Sequence, residues 1–211
     1  MQDKKVYIVG IGPGSSKYIL PKAIEVMENS DVVVAFERVK KSIEFINKSI
    51  ISVKKLQDII EIIKGNECKS VSIAASGDPN FYGITEYIKK NFSGYIEIVP
   101  GITSLQYFTS KLKISWGNAY VGSMHGREED FINIVKENRI SMWLTDKKNS
   151  PNKLCKKLYE ISENFKVYVG ENLSYDNEKI VVGTVEKIKD MEFSDLTVMI
   201  IEGIENDIHK R

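Results

Sequence analysis

The chain has 211 residues, 42% of them hydrophobic, and 30 basic against 29 acidic groups leave a net charge of +1. That length suits one large domain or two of roughly 100 residues, and near neutrality excludes a global field that would gather nucleic acid. No apolar run reaches the roughly 18–20 residues of a membrane span; the absence of a signal peptide at residues 1–5, two isolated cysteines (Cys68, Cys155) and two histidines (His125, His209) predict a reduced cytoplasmic protein without a metal site.

An apolar strand is predicted over residues 6–9, followed by a glycine loop at 10–14. A helix starts around Pro21, with Leu20, Ala23, Ile24 and Met27 at helical spacing. A buried strand follows at 31–35, then helical patterns at 40–47 and 56–64. Next come a strand at 70–75, a loop at 76–82, a helix at 83–91, a strand at 95–99, a loop at 100–103 and a helix at 104–112. Strands alternating with helices predict a mainly parallel sheet covered on both faces.

The segment KISWGN, residues 113–118, interrupts this rhythm and is read as the linker between an N-terminal domain, 1–112, and a C-terminal domain, 119–211. Beyond it the pattern predicts a strand at 119–122, a helix at 129–136, a strand at 140–145 and a helix at 151–162 opened by Pro151. Three further strands, at 166–170, 179–185 and 196–202, predict a mixed sheet.

Four loops at strand ends carry the polar chemistry. GIGPG, residues 10–14, supplies only the first two glycines of a dinucleotide fingerprint, and Pro13 lacks the N–H that a phosphate cradle uses. Asp31 stands where such a fold places its ribose acid; the other reading is a glycine turn that lets strand and helix pack. Gly77, Asp78 and Pro79 make a sharp, stiff turn after the strand at 70–75. Thr103 or Ser104 caps the helix after the strand at 95–99, and Glu171-Asn172 follows a strand in the second half. Carboxyl ends of strands are where open α/β sheets bind ligands.

These segments together resemble the tetrapyrrole methylases. VGIGPGS, SGDP, PGITS and GENLSY…EKIVVGT occur in order along essentially the whole chain. The resemblance implies an α/β fold of two domains, the first with a mainly parallel and the second with a mixed sheet, and an active-site cleft between them. It also implies an enzyme using S-adenosyl-L-methionine and releasing S-adenosyl-L-homocysteine. ASGDPNFYGI, SMHGRE at 123–128 and LTDKKNSP at 144–151 resemble the branch that methylates C5 of cobalt-precorrin-7 in cobalamin biosynthesis. That branch implies a tetrapyrrole substrate, a homodimer, and a possible partner enzyme that methylates C15, with neither nucleic acid nor membrane involved. Other branches methylate a different precorrin carbon, the diphthamide precursor or ribosomal RNA. A non-catalytic nucleotide-binding module is the reading from a different class.

Carried over residue by residue, the family's cofactor site implies Pro13, Gly77, Asp78, Tyr82, Thr103, Ser104, Leu144, Val169, Gly170, Glu171 and Asn172. Asp78 is a candidate catalytic carboxylate or a cofactor-positioning one. His125 is a candidate general base, or a loop histidine bonded to backbone. Arg127, then Arg38, with Lys147 and Lys148 behind them, are candidates for the carboxylates of the macrocycle, because arginine forks match carboxylates. Tyr7, Tyr107, Phe108 and Trp143 are expected in the core, and Trp116 is expected to pack between domains.

Overall fold

A computed structural model describes residues 4–65, 67–161 and 164–204. His209 lies outside the described residues. Contacts divide the chain into two compact units, Met1–Ser104 and Leu105–Arg211.

The first unit holds strands β1 (Lys5–Gly10), β2 (Val32–Phe36), β3 (Ile50–Val53), β4 (Ser70–Ala75) and β5 (Tyr95–Val99). They form one sheet in the order β3-β2-β4-β1-β5, with every pair parallel. Successive strand residues point to opposite faces, so each strand feeds two cores. Val9, Val33 and Ala74 face one core; Ile8, Val34 and Ile73 face the other. Helix α1 (Pro21–Asn29) buries Ala23, Val26 and Met27 in the first core, joined by Val39 of α2 (Glu37–Ser42). Helix α3 (Leu56–Lys64) buries Ile59, Ile60 and Ile63 in the second, joined by Ile88 of α4 (Thr85–Asn91). Each such isoleucine contributes about 1.5–3 kcal/mol of burial, which is why both faces of a parallel sheet are apolar.

The expected helix at 40–47 is displaced. Helix α2 begins at Glu37 and ends at Ser42, yet Ile43 and Ile46 remain buried through consecutive turns. The apolar spacing there reports burial rather than continued helix. Strand β3 follows, unforeseen in the sequence.

Helix α5 (Ser104–Leu112) leads into the second unit and buries Leu105, Tyr107 and Phe108. Lys113, at φ 59°, ends it, and Ile114 N–H returns to the Thr109 carbonyl at 3.0 Å. Strands β6 (Tyr120–Ser123), β7 (Ile140–Leu144), β8 (Phe165–Glu171), β9 (Lys179–Thr184) and β10 (Thr197–Gly203) form a sheet in the order β6-β7-β10-β8-β9. Only β6 and β7 run parallel; the other pairs are antiparallel, giving the expected mixed sheet. Helices α6 (Phe131–Glu137), α7 (Pro151–Tyr159) and α8 (Val185–Ile188) cover one face, around the fully buried Trp143. Trp143 stacks edge-on with Phe131 at 5.0 Å, and its indole N–H donates to Ser141. Trp116 is 41% exposed.

Candidate functional site

All five parallel strands of the first unit end on the same edge, and the loops after β1, β4 and β5 meet there. Their meeting is a backbone contact. Gly12 and Gly77 exchange hydrogen bonds, with Gly77 N–H to Gly12 O at 2.7 Å and Gly12 N–H to Gly77 O at 3.3 Å. A Cβ on Gly10 would sit 2.6 Å from the Gly101 nitrogen and 2.7 Å from the Gly77 oxygen. A Cβ on Gly101 would overlap the same Gly77 oxygen. Three loops can touch only because these positions lack side chains.

Asp78 is the side chain that joins two of them. Its Oδ2 accepts the Gly101 N–H at 3.0 Å, across to the loop after β5. Its Oδ1 accepts the Asn80 N–H at 2.8 Å, closing its own turn. Gly77 (φ 68°) and Tyr82 (φ 53°) both occupy the left-handed region, and Tyr82 is 38% exposed with its ring edge-on to Phe81. A non-glycine residue held there marks a place to look for function. Pro13 and Thr103 are buried beside these turns, and Ser104 is half-buried at the start of α5. Arg38 is exposed on α2, just past the carboxyl end of β2.

This arrangement does not fit a dinucleotide. The N–H groups of Ile11, Gly12, Gly77 and Gly101 are spent on Ala75, Gly77, Gly12 and Asp78, where a phosphate cradle would turn them outward. Asp31 lies at the amino end of β2, where its Oδ2 accepts the N–H groups of Lys69 and Ser70 at 2.7 and 2.8 Å. These bonds hold its carboxyl below the usual carboxylate range, and the residue is at the wrong end of the sheet for a ribose. The loops at 10–14, 76–82 and 100–103 contain no Lys or Arg and one carboxylate, Asp78. Such a surface suits a cationic sulfonium ligand better than a phosphate.

In the second unit, the ends of β6, β7 and β8 and the start of β10 share an edge. Ser123 pairs with Leu144, Leu144 with Val198, and Thr197 with Glu171. Thr145 and Thr197 close that edge by a buried hydroxyl pair at 2.7 Å. His125 is exposed just past β6, with Nδ1 at 3.1 Å from the Thr145 carbonyl oxygen. A carbonyl only accepts, so Nδ1 carries the hydrogen in the neutral ring and Nε2 is left as the basic nitrogen. Asp146 accepts the N–H groups of Gly126 and Asn149, each at 2.7 Å, which ties the His125 loop to the loop after β7. Burial opposes ionisation of Asp146, but these bonds outweigh it and its carboxyl is lowered.

Leu144 is half-buried at the end of β7, and Val169 and Gly170 are buried in β8. Glu171, 7% exposed, accepts the Ser194 N–H at 2.7 Å and faces Lys179 at 3.7 Å. Asn172 turns into the left-handed region at φ 47°. Arg127 and Lys147 are exposed in the two loops, and Lys148 pairs with Glu128 at 2.7 Å. Thus Pro13, Gly77, Asp78, Tyr82, Thr103 and Ser104 gather at one sheet edge, and His125, Arg127, Leu144 and Val169–Asn172 at the other sheet's edge. Sequence reasoning missed Gly10 and Gly101, whose close approach shows only in three dimensions. It also missed Glu178, whose carboxylate accepts from Tyr107 and Ser174. Among the described residues, no group of three or more His, Cys, Asp or Glu could hold a metal, and no helix is long and apolar enough to cross a membrane.

A parallel open sheet with glycine-linked turns at its carboxyl edge, followed by a unit with a mixed sheet and polar loops at one edge, defines an α/β protein of two units. The sequence model of the Tetrapyrrole (Corrin/Porphyrin) Methylases matches residues 5–189. The chain belongs to that family. It is 37% identical over 217 aligned positions to the "Probable cobalt-precorrin-7 C(5)-methyltransferase" of Methanocaldococcus jannaschii, covering 95% of this chain and 99% of that one. The fold matches the crystal structure of the cobalamin-biosynthesis precorrin-6Y methylase of Archaeoglobus fulgidus with a TM-score of 0.74, at 22% identity over 95% of this chain and 98% of that one. It also matches a Thermus thermophilus uroporphyrin-III C-methyltransferase complexed with S-adenosylhomocysteine, with a TM-score of 0.77 at 19% identity over 94% and 92% of the two chains.

Proposed function

We propose that this chain methylates C5 of cobalt-precorrin-7 in cobalamin biosynthesis. Membership of the tetrapyrrole methylase family makes it a methyltransferase that uses S-adenosyl-L-methionine. The full-length likeness to the Methanocaldococcus jannaschii protein carries the choice of ring carbon.

When bound, the donor supplies an electrophilic methyl group on a sulfonium, so the protein's main task is alignment. Fixing the reacting partners in line is worth up to about 7–11 kcal/mol of barrier. The interlocked turns at Gly10, Gly77 and Gly101 give a stiff platform for that task, and Asp78 acts as its tie. In the first unit Tyr82, Thr103 and Ser104 are proposed to contact the donor; in the second unit Leu144, Val169, Gly170, Glu171 and Asn172 are the residues proposed for that role. Both oxygens of Asp78 already accept backbone N–H groups, which favours positioning over proton transfer.

Adding a methyl group to a ring carbon changes the ring's protonation. His125 is the proposed proton acceptor, through Nε2, with Nδ1–H anchored on Thr145. Arg127 and Arg38, with Lys147 and Lys148, are proposed to hold the carboxylates of the macrocycle. A cytoplasmic homodimer that hands its product to a C15-methylating enzyme completes the reading.

The test is incubation of the purified protein with S-adenosylmethionine and cobalt-precorrin-7, with NMR of the product. Transfer of one methyl group to C5 is expected. Transfer to another carbon, or turnover only of other family substrates, would overturn the assignment.

A further inference from the structure

Glu178 opens the EKIVVGT segment but has been given no role of its own, and its carboxylate gathers three donors. Oε2 accepts the Tyr107 hydroxyl at 2.6 Å and the Ser174 N–H at 2.7 Å. Oε1 is 3.3 Å from Lys111 Nζ. Tyr107 and Lys111 are on α5, while Ser174 and Glu178 are on the loop between β8 and β9. Tyr107, expected as a plain core aromatic, is 7% exposed and directs its one polar atom at this carboxylate. Burial alone would favour the neutral acid. The tyrosine hydroxyl, the Ser174 N–H and the lysine outweigh it and hold the carboxyl below the usual range.

The loop needs holding. Asn172 and Ser174 both sit in the left-handed region, at φ 47° and 69°, without being glycine. Asn172 N–H donates to the Leu196 carbonyl, Tyr175 N–H to Asn172, and Glu178 N–H to Tyr175, each at 3.0 Å. Two tight turns therefore follow each other, and Glu178 pins the Ser174 amide between them. We infer that Glu178 is a positioning residue that, with Tyr107 and Lys111, latches the 172–178 loop in the shape that presents Asn172 to the methyl donor. The inference rests on the proposed donor role of Asn172. The latch also fixes α5, the helix that carries Tyr107 and Lys111.

The experiment compares wild type with Glu178→Ala, Glu178→Gln and Tyr107→Phe. S-adenosylhomocysteine binding is read by calorimetry, KM is measured for donor and tetrapyrrole separately, and folding is checked by thermal melting. A charged hydrogen bond lost from the latch should weaken S-adenosylhomocysteine binding about tenfold or more in Glu178→Ala. The KM for the tetrapyrrole should stay as in wild type. A glutamine oxygen can still accept from both Ser174 and Tyr107, so Glu178→Gln should retain most donor affinity, and Tyr107→Phe should fall between the two. A folded Glu178→Ala that binds like wild type, or that loses donor and tetrapyrrole in equal proportion, would overturn the latch. If Glu178→Ala does not fold, Tyr107→Phe must bind more weakly than Glu178→Gln, and equal affinities would overturn it. Wild type that ignores S-adenosylhomocysteine would instead strike down the donor assignment itself, and the latch with it.

Discussion

Gly101 donates its backbone N–H to Asp78 Oδ2 at 3.0 Å, so the carboxylate after β4 holds the loop after β5. The other oxygen of Asp78 closes its own turn on Asn80. Losing a hydrogen bond to a charged group costs about 1.5–3 kcal/mol. Asp78→Ala should therefore weaken S-adenosylhomocysteine about tenfold or more, measured by calorimetry, with the far-UV circular dichroism unchanged. Asp78→Asn should lose less, because it keeps the Asn80 bond but turns an amide toward the Gly101 N–H. Wild-type affinity in Asp78→Ala would remove the tie from the account.

The glycine contacts predict a second outcome, on stability. A methyl group on Gly10 has the Gly101 nitrogen and Gly77 oxygen inside 3 Å, and both are backbone atoms that cannot swing aside. Overpacking of this kind costs about 1–3 kcal/mol. Gly117 has nothing within 4 Å of the same added atom, so Gly117→Ala should stay within about 0.5 kcal/mol of wild type. Urea unfolding of both variants checks this; equal stabilities would contradict the close-packed loops.

Much of the fold could be read from the chain because its elements are locally consistent. Strands β4 and β5 and helices α3 and α5 fall where the apolar runs and their breakers put them. Strand β3 could not be read this way. Its residues Ile50–Val53 run half-buried, exposed, exposed, buried, without the alternation that marks a strand, and it sits at a sheet edge with one partner. Val39, Ile43 and Ile46 keep helical spacing while only the first lies in helix, because turns can bury side chains as well as a helix can. The strand-end loops were visible as glycine, hydroxyl and carboxylate clusters. The bonds that make them a site were not: Asp78 reaches 23 residues along the chain and Tyr107 reaches 71. Nothing in the local sequence encodes such pairs.

His125 has its proton location fixed by geometry, which makes its role testable. With Nδ1–H on the Thr145 carbonyl, Nε2 is available to accept a proton. Removing a general base lowers turnover by about 100-fold or more. His125→Ala should show that loss in kcat under saturating substrates, with S-adenosylhomocysteine affinity unchanged. Undiminished kcat would assign the proton to another group or to solvent.

Asp31 predicts a pH dependence of stability at the opposite end of the first sheet. Its carboxyl is held below the ordinary aspartate range by the backbone N–H groups of Ser70 and Lys69. A carboxyl lowered by folding stabilises the protein above its unfolded pKa and loses that contribution as pH falls through the folded value. Wild type should thus be more stable than Asp31→Asn at neutral pH, with the gap closing below about pH 4. Urea midpoints across pH measure it. A gap that persists at low pH would mean that the bonds do not depend on the charge.

The central claim is that the glycine-linked turns after β1, β4 and β5 hold an adenosyl sulfonium donor rather than a nucleotide phosphate. A crystal structure of the protein grown with S-adenosylhomocysteine tests it most directly. The account predicts the ligand against Gly77, Asp78 and Thr103, with no displacement of the Asp78–Gly101 bond. Density for the ligand away from those turns, or turns pulled apart to admit it, would contradict the account.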